Sequence, residues 1–136
     1  MEVEYTNKLS RNEQEHIIHK VILHDRVSVG AGAPRSIHFG ARIDGALIGG
    51  ICGHMELRRL YIEYLWVEHC YRGNGIGSSL LKTAESDAAT KGCIESRIES
   101  LSVKTANLYV GRGYKIIHRL PDYLPGLPLI VLSKLI

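Results

Sequence analysis

The feature that most constrains this fold is a glycine-rich turn between a continuous apolar segment and a helical pattern. The apolar segment LRRLYIEYLWV has the character of a strand in the centre of a sheet. Three glycines, Gly73, Gly75 and Gly77, follow shortly after it. Glycine permits positive φ angles and lets a backbone approach another molecule closely. The sequence therefore predicts a buried strand, a turn without Cβ atoms and a helix, in this order.

The glycine-rich turn also has the ingredients of a phosphate site. Its backbone N–H groups and the positive end of the following helix form a cradle for anions, and Arg72 adds a formal charge. No Gly-Lys-Ser/Thr follows, as a Walker A loop requires, and Ser78 replaces the third Gly or Ala of the dinucleotide fingerprint. The turn alone predicts either a phosphate cradle or a tight connection without a ligand.

The first half of the chain adds a helix and a hairpin to this unit. A short strand is expected over residues 3–6, and Ser10 can cap a helix that runs to about Arg26. Asp44-Gly45 is a favoured tight-turn dipeptide between two apolar runs, so a hairpin is expected there.

The second half predicts one long helix and four further elements. The helix runs from Ser78 to about Lys91, and Gly92 is placed to end it. A strand, a short helix and two closing strands follow, the last two separated by the Pro-rich loop PDYLPG: CIESRIESL, KTANLYVGRGY, KIIHRL and LPLIVLSKL. Together the elements predict an α/β (α+β) fold, with a mixed sheet and helices on both of its faces.

Length and charge limit the domain organisation and the partners. A chain of 136 residues is the length of one ordinary domain, so residues 1–136 are expected to form a single domain. No apolar run is long enough to span a bilayer, and the polar, acidic N-terminus is unlike a signal peptide. The net charge of +3 is too small and too scattered to indicate a nucleic-acid surface. We therefore expect a cytoplasmic protein with no nucleic-acid or membrane partner.

The cysteines predict neither a disulfide framework nor a metal site. Three cysteines are an odd and sparse set, which fits a reducing compartment. Cys52 and His54, followed later by His69 and Cys70, lack the usual zinc-finger spacing. No metal is expected.

Two motifs in the expected order resemble the GNAT superfamily of N-acetyltransferases. LWVEHCYRGNGIGSSLL is similar to its acetyl-CoA-binding motif, Arg/Gln-x-x-Gly-x-Gly/Ala after a central strand. NLYVGRGY is similar to its Phe/Leu-Tyr-x-x-x-Gly-Phe/Tyr element. The matching residues are Arg72, Gly73, Gly75 and Gly77 in the first motif and Leu108, Tyr109, Gly113 and Tyr114 in the second. The resemblance covers nearly the whole chain and implies the GNAT fold, whose central sheet is mostly antiparallel.

The resemblance implies a place for each part of acetyl-CoA, the co-substrate. The pantetheine arm would lie along the central strand, paired with the backbones of Leu65 and Val67 where a bulge splays the strand. The side chains of both residues have a simpler reading as core. The pyrophosphate of CoA would be bound by the backbone amides of Arg72, Gly73, Asn74, Gly75, Ile76, Gly77 and Ser78.

Acetyl transfer also needs an acid and a base. Tyr109 matches the family tyrosine that faces the CoA sulfur, and we expect it at the start of the last short helix; the alternative is a tyrosine packed in the core. Glu63 is the candidate base, on the same side of the strand as Leu65 and Val67 unless the bulge intervenes. Its alternative is a structural ion pair. Weaker candidates for the base are Glu68, His69 and Glu99.

The resemblance implies an acetyl-CoA-dependent N-acetyltransferase that moves an acetyl group directly to a primary amine of a small molecule or a protein. Two other classes remain: a catalytically silent acyl-CoA-binding or sensing module, and a nucleotide-binding regulatory domain. Many relatives carry an Asn before the tyrosine helix, where this chain has SLSVKTAN, so a polar CoA contact there stays open. The acceptor cannot be read from the sequence, and a homodimer is compatible with it.

Overall fold

The computed structural model describes residues 1–30 and 32–136. The chain divides into two compact units, Met1–Ala33 and Pro34–Ile136. The prediction of one domain over residues 1–136 stays a prediction.

The first unit consists mainly of helix α1, Arg11–Asp25. Ser10 and Glu13 form a reciprocal cap: the Ser10 hydroxyl accepts the Glu13 N–H at 3.1 Å, and the Glu13 carboxylate accepts the Ser10 N–H at 2.9 Å. These bonds, led by the one from the Ser10 backbone, lower the pKa of Glu13. The predicted helix is confirmed. The predicted strand over residues 3–6 is wrong, because this exposed segment has no regular secondary structure.

The second unit contains a six-stranded sheet in the order β1-β2-β3-β4-β6-β5. Every neighbouring pair is antiparallel except β3 and β4, which are parallel. The predicted α+β fold with a mostly antiparallel mixed sheet is confirmed. The elements are β1 Arg35–Ile43, β2 Ala46–Glu56, β3 Arg59–Val67, α2 Ile76–Thr90, β4 Glu95–Ser100, α3 Val103–Val110, β5 Lys115–Leu124 and β6 Leu127–Leu135.

Both hairpin turns in the first three strands use left-handed residues. Asp44 and Gly45 have φ of 48° and 81°, as the predicted turn requires. The turn between β2 and β3 has the same character, with φ of 52° at Leu57 and 59° at Arg58. Leucine and arginine are not typical of such turns, so this turn has no local signal in the sequence.

Helices α2 and α3 pack on the same face of the sheet. Both contribute to one buried cluster with side chains from the strands. The cluster contains Ile37, Ile51, Met55, Leu60, Leu80, Leu81, Ala84, Ala88, Cys93, Ile98, Ala106, Tyr109, Tyr114, Ile130 and Leu132. Because side chains alternate along a strand, Leu60 faces these helices and Tyr61 faces the opposite side of the sheet.

The closing strands differ from the prediction. Strand β5 continues to Leu124, through most of the stretch predicted as a Pro-rich loop. Pairing with β6 is irregular between Leu120 and Leu124, and Asp122 has a φ of 52°. Strand β5 lies at the edge of the sheet, where Pro121 can be accommodated despite its missing N–H.

Candidate active site

Strand β3 contains a β-bulge at Glu63. In the pairing with β2, Cys52 lies opposite Tyr64 and Gly53 lies opposite Ile62, so Glu63 has no partner residue. A Cβ on Gly53 would overlap the carbonyl oxygen of Tyr61, which explains why a glycine occupies this point of β2. A bulge turns the following residues relative to those before it.

The parallel pairing of β3 and β4 ends just before this bulge. The last pair is Ile62 with Ile98, and the remainder of β3, up to Val67, has no partner on its β4 side. The two strands therefore diverge from Glu63 and Glu99 onwards, and a gap opens between them.

Backbone groups of β3 point into this gap. The Glu68 N–H donates to the Ile48 carbonyl at 2.7 Å, which marks this pair of opposed residues as hydrogen-bonded. Hydrogen-bonded and non-hydrogen-bonded pairs of residues alternate along an antiparallel ladder. The backbone of Trp66 therefore also bonds to β2, while Leu65 and Val67 direct their N–H and C=O groups away from β2. One of these groups is occupied, since Arg72 Nε donates to the Val67 carbonyl at 2.8 Å.

The glycine turn leads directly into α2. Gly73 and Gly75 have φ of 79° and 81°, and Gly75 caps the helix in the left-handed conformation. A Cβ on either residue would meet no atom within 4 Å, so the φ angles, and not crowding, require glycine in this structure. The helix begins at Ile76, two residues before the predicted start, and its first backbone bond is from the Ser79 N–H to the Gly75 carbonyl.

The backbone N–H groups before Ser79 have no hydrogen-bond acceptor within the helix. The Asn74 side chain is directed back to the turn, where its amide donates to the carbonyls of Tyr71 and Arg72 at 3.1 and 3.3 Å. Asn74 thus braces the turn, while the amides of Ile76, Gly77 and Ser78 lie at the positive end of α2.

A cavity of about 540 Å³ joins these parts, and we call it the first cavity. It brings together the end of β3, the glycine turn and the side chains of α3, including Tyr109. Tyr71, Thr105 and Arg112 face it as well, although no sequence motif pointed to them. The lining residues are Leu65, Trp66, Val67, Tyr71, Arg72, Gly73, Gly75, Ile76, Gly77, Ser78, Thr105, Leu108, Tyr109 and Arg112.

Tyr109 lies between the core and the first cavity. It sits near the end of α3 and not at its start, because the helix already begins at Val103. Its side chain is 9% exposed, and its hydroxyl has no hydrogen bond to another residue of the described chain. Burial raises the pKa of the Tyr109 phenol, and Arg112 opposes this shift. The phenol is therefore protonated at neutral pH and can donate a hydrogen bond.

A buried polar network supports the Tyr109 ring from behind. Tyr114 packs edge-on against Tyr109, with ring centres 6.0 Å apart. The Tyr114 hydroxyl donates to Glu85 at 2.7 Å and is hydrogen-bonded to Ser96 at 2.7 Å. Lys134 binds the other oxygen of Glu85 at 2.9 Å. Burial strongly raises the pKa of Tyr114, so this network keeps its proton.

Glu63 lines a different cavity, of about 390 Å³, which we call the second cavity. The bulge intervenes: Glu63 shares this cavity with Tyr61, while Leu65 and Val67 line the first one. Glu63 Oε1 lies 2.8 Å from His54 Nδ1. The second cavity is lined by His54, Tyr61, Ile62, Glu63, Tyr64, Arg97, Glu99 and Val131.

The weaker candidates for a base divide between the cavities and the surface. Glu99 lines the second cavity, at the start of the gap. Glu68 and His69 are exposed and line neither cavity. Ser102, in the segment where relatives carry Asn, caps α3 by accepting the Thr105 N–H at 3.2 Å.

Neither a membrane-spanning helix nor a cluster of metal-ligating side chains occurs in residues 1–30 and 32–136. Among these residues, no helix is long and apolar enough to cross a membrane. No group of three or more His, Cys, Asp or Glu side chains comes together as a metal site there.

Comparisons with known proteins identify the family. The sequence model of the acetyltransferase (GNAT) family matches residues 3–115. The chain is 37% identical over 91 residues to blasticidin-S acetyltransferase of Streptomyces morookaense, a match that covers 66% of this chain and 67% of that protein. It is 39% identical over 58 residues to thialysine N-epsilon-acetyltransferase of Sus scrofa, covering 41% of this chain and 34% of that protein.

Solved structures show the same fold. An acetyltransferase from Bacillus cereus ATCC 14579 superposes with a TM-score of 0.80 at 26% identity, covering 98% of both chains. A protein from Bacillus anthracis str. Ames, in complex with acetyl coenzyme A, has a TM-score of 0.70 at 20% identity over 77% of this chain and 65% of its own. The chain thus belongs to the acetyltransferase (GNAT) family, which confirms the resemblance and the prediction of an N-acetyltransferase.

Proposed function

We propose that the protein moves an acetyl group from acetyl-CoA directly to a primary amine of a small molecule or a protein. The observation that carries this proposal is the first cavity, which joins unpaired backbone of β3, the positive end of α2 and the Tyr109 hydroxyl. Membership of the family supports acetyl-CoA as the donor.

Acetyl-CoA would lie in the first cavity with its pyrophosphate at the glycine turn and its thioester towards Tyr109. Its pyrophosphate would be held by the amides of Ile76, Gly77 and Ser78 and by the positive end of α2. Its pantetheine amides would pair with the backbone of Leu65 and with the Val67 N–H, as an added strand would. Because Arg72 already binds the Val67 carbonyl, we assign it to shaping the turn as well as to attracting the phosphates.

In this orientation the thioester lies near Tyr109 and the gap between β3 and β4. Expulsion of the CoA thiolate needs a hydrogen-bond donor or a proton. The Tyr109 phenol supplies it, since burial raises its pKa and no other described residue takes its hydroxyl hydrogen bond.

The amine would approach from the second cavity, on the opposite face of the sheet. Glu63 and Glu99 border the gap there, and both carboxylates can attract an ammonium ion. Glu63 then accepts a proton so that the nitrogen can attack the thioester carbon through the gap. The hydrogen bond to His54 also fits the alternative of a structural pair, and kinetics must separate the two roles.

The acceptor is best sought with a panel of amines. Blasticidin S and thialysine enter the panel because similar proteins are named for them. Polyamines, aminoglycosides, amino acids and lysine peptides complete it. Thiol release from acetyl-CoA and the acetylated product by mass spectrometry should rise together with one of these amines.

Tight binding of acetyl-CoA without transfer to any amine would contradict this proposal. It would favour instead a silent acyl-CoA-binding module. A cytoplasmic location and a homodimer are proposed from the sequence alone.

A further inference from the structure

His54 is held in a fixed position beside Glu63. It lies on β2 directly opposite Tyr61, and the two rings stack with centres 4.9 Å apart and planes at 13°. Its Nδ1 is 2.8 Å from Glu63 Oε1, and its Nε2 is 3.5 Å from Glu56 Oε2. The imidazole is thus held on one face by an aromatic ring and at Nδ1 by the Glu63 carboxylate, with the Glu56 carboxylate near its Nε2.

Glu63 needs such a partner more than an ordinary strand residue does. As the extra residue of the bulge, it has no cross-strand neighbour in the ladder. Its side chain is 48% exposed, so without a hydrogen bond it would be free to rotate among several conformers. A displacement of about 1 Å at a reacting group costs on the order of a hundredfold in rate.

We propose that His54 is a positioning residue for Glu63 in acetyl transfer. The inference rests on the proposed function. His54 Nδ1–H donates to Oε1 and so fixes the carboxylate, which leaves Oε2 to face the incoming amine. There an N–H bond of the ammonium ion breaks, an O–H bond forms at Oε2, and the electron pair left on nitrogen forms the C–N bond to the thioester carbon. The C–S bond then breaks and its electron pair leaves with sulfur. The second proton lost by the nitrogen ends on this thiolate, with the Tyr109 hydroxyl as the donor, so that CoA leaves as the thiol. The proton on Glu63 later passes to water.

The charged groups around this pair come from three strands. Glu56 lies on β2 with His54, Tyr61 lies beside Glu63 on β3, and β4 contributes Arg97 and Glu99 to the same cavity. Arg97 is held by Glu95 at 2.7 Å. Of the described residues, only His54 makes a hydrogen bond to the Glu63 carboxylate.

Two substitutions separate positioning from packing. His54→Phe keeps an aromatic ring on Tyr61 but removes the Nδ1–H donor. His54→Asn places an amide N–H where Nδ1 lies and removes the ring. The pair is partly exposed, and breaking such a pair costs little stability, so both variants should fold.

We expect His54→Phe to lower kcat between about tenfold and a hundredfold with an unchanged KM for acetyl-CoA. His54→Asn should recover most of the lost turnover. In a Glu63→Gln background, His54→Phe should cause no further loss, because the group that it positions is gone. Equal losses in both backgrounds, or a His54→Phe variant as active as the wild type, would overturn the role of His54.

A second measurement does not depend on turnover. The ¹⁵N spectrum of the wild-type histidines should show a protonated, hydrogen-bonded Nδ1 at His54 that changes in Glu63→Gln. An Nδ1 without a proton would overturn the positioning role while leaving acetyl transfer intact. No transfer to any amine by the wild type, with the hydrogen bond present, would instead refute the proposed function and with it this use of the pair.

Discussion

The first and second cavities are built from different parts of the chain. Backbone forms much of the first: unpaired groups of β3, the glycine turn and the beginning of α2. Charged and aromatic side chains from β2, β3 and β4 form the second. A binding site made of backbone can be kept while side chains change, so the first cavity suits a shared co-substrate. The second cavity, made of side chains, suits an acceptor that differs between relatives.

The largest effect is expected in the first cavity, at Tyr109. Tyr109→Phe removes only the hydroxyl, so turnover should fall about 10²–10³-fold while acetyl-CoA affinity and Tm barely change. Single-turnover transfer and thermal unfolding on one preparation measure all three. Tyr123→Phe, on the exposed part of β5, is the control. Lost stability with normal specific activity would make Tyr109 a core residue only.

Glu63→Gln should act on the second cavity alone. We expect about a hundredfold lower kcat near pH 7 with an unchanged KM for acetyl-CoA. The deficit should shrink as pH rises, because more of the amine is then already neutral. Glu68→Gln, which lines neither cavity, is the matched control. Wild-type rates across the pH range would leave Glu63 as a structural partner of His54.

Gly77 offers a test of the first cavity without strain in the fold. Its φ is not in the left-handed region, and a Cβ there would lie 3.7 Å from both Arg112 and the Val67 side chain. Gly77→Ala should therefore keep the rise in Tm caused by acetyl-CoA, which corresponds to about 2.7 kcal/mol at a hundredfold excess over Kd. The larger Gly77→Val side chain should abolish most of it.

An equal ligand-induced rise in Tm for both Gly77 variants would argue against acetyl-CoA at the start of α2. Gly75 is less suitable for this test. Its φ of 81° means that any side chain would strain the backbone itself, with or without the ligand.

The smallest effect concerns Glu95, whose partner Arg97 lines the second cavity. Arg97 holds the pKa of Glu95 below its usual value, assisted by Arg59. A carboxylate with a lowered folded-state pKa stabilises the protein above its unfolded-state pKa, and this contribution is lost as pH falls through the folded value. Glu95→Gln should therefore lower the free energy of unfolding at pH 7 by less than about 1 kcal/mol, and with it Tm slightly, and should have no such effect below both pKa values. A difference in Tm that is independent of pH would contradict this.

The first cavity was largely predictable because its signals are local. Glycines between a strand and a helix indicate an anion cradle, and the motif around Tyr109 supplied the opposite wall. The start of α2 was missed by two residues, since the helix follows a left-handed Gly75 that has no capping side chain to mark its start. Arg112 was missed because its role depends on how α3 packs.

The second cavity could not be predicted in the same way. His54 meets Glu63 only because an unusual Leu57-Arg58 turn sets the register of β2 and β3 and a bulge then redirects Glu63. Neither feature has a local sequence signal, and a shift of one residue would move these side chains to the other face. Glu63 was expected on the side of Leu65 and Val67 unless a bulge intervened, and the bulge at Glu63 does intervene.

Initial rates over a grid of acetyl-CoA and amine concentrations test the central claim most directly. If both cavities are filled at once and transfer is direct, double-reciprocal plots for the wild type should intersect. Glu99→Gln, in the second cavity, should raise the KM for the amine and leave that for acetyl-CoA unchanged. Parallel lines, which indicate an acetylated enzyme, or a raised KM for acetyl-CoA in Glu99→Gln would contradict the assignment of the two cavities.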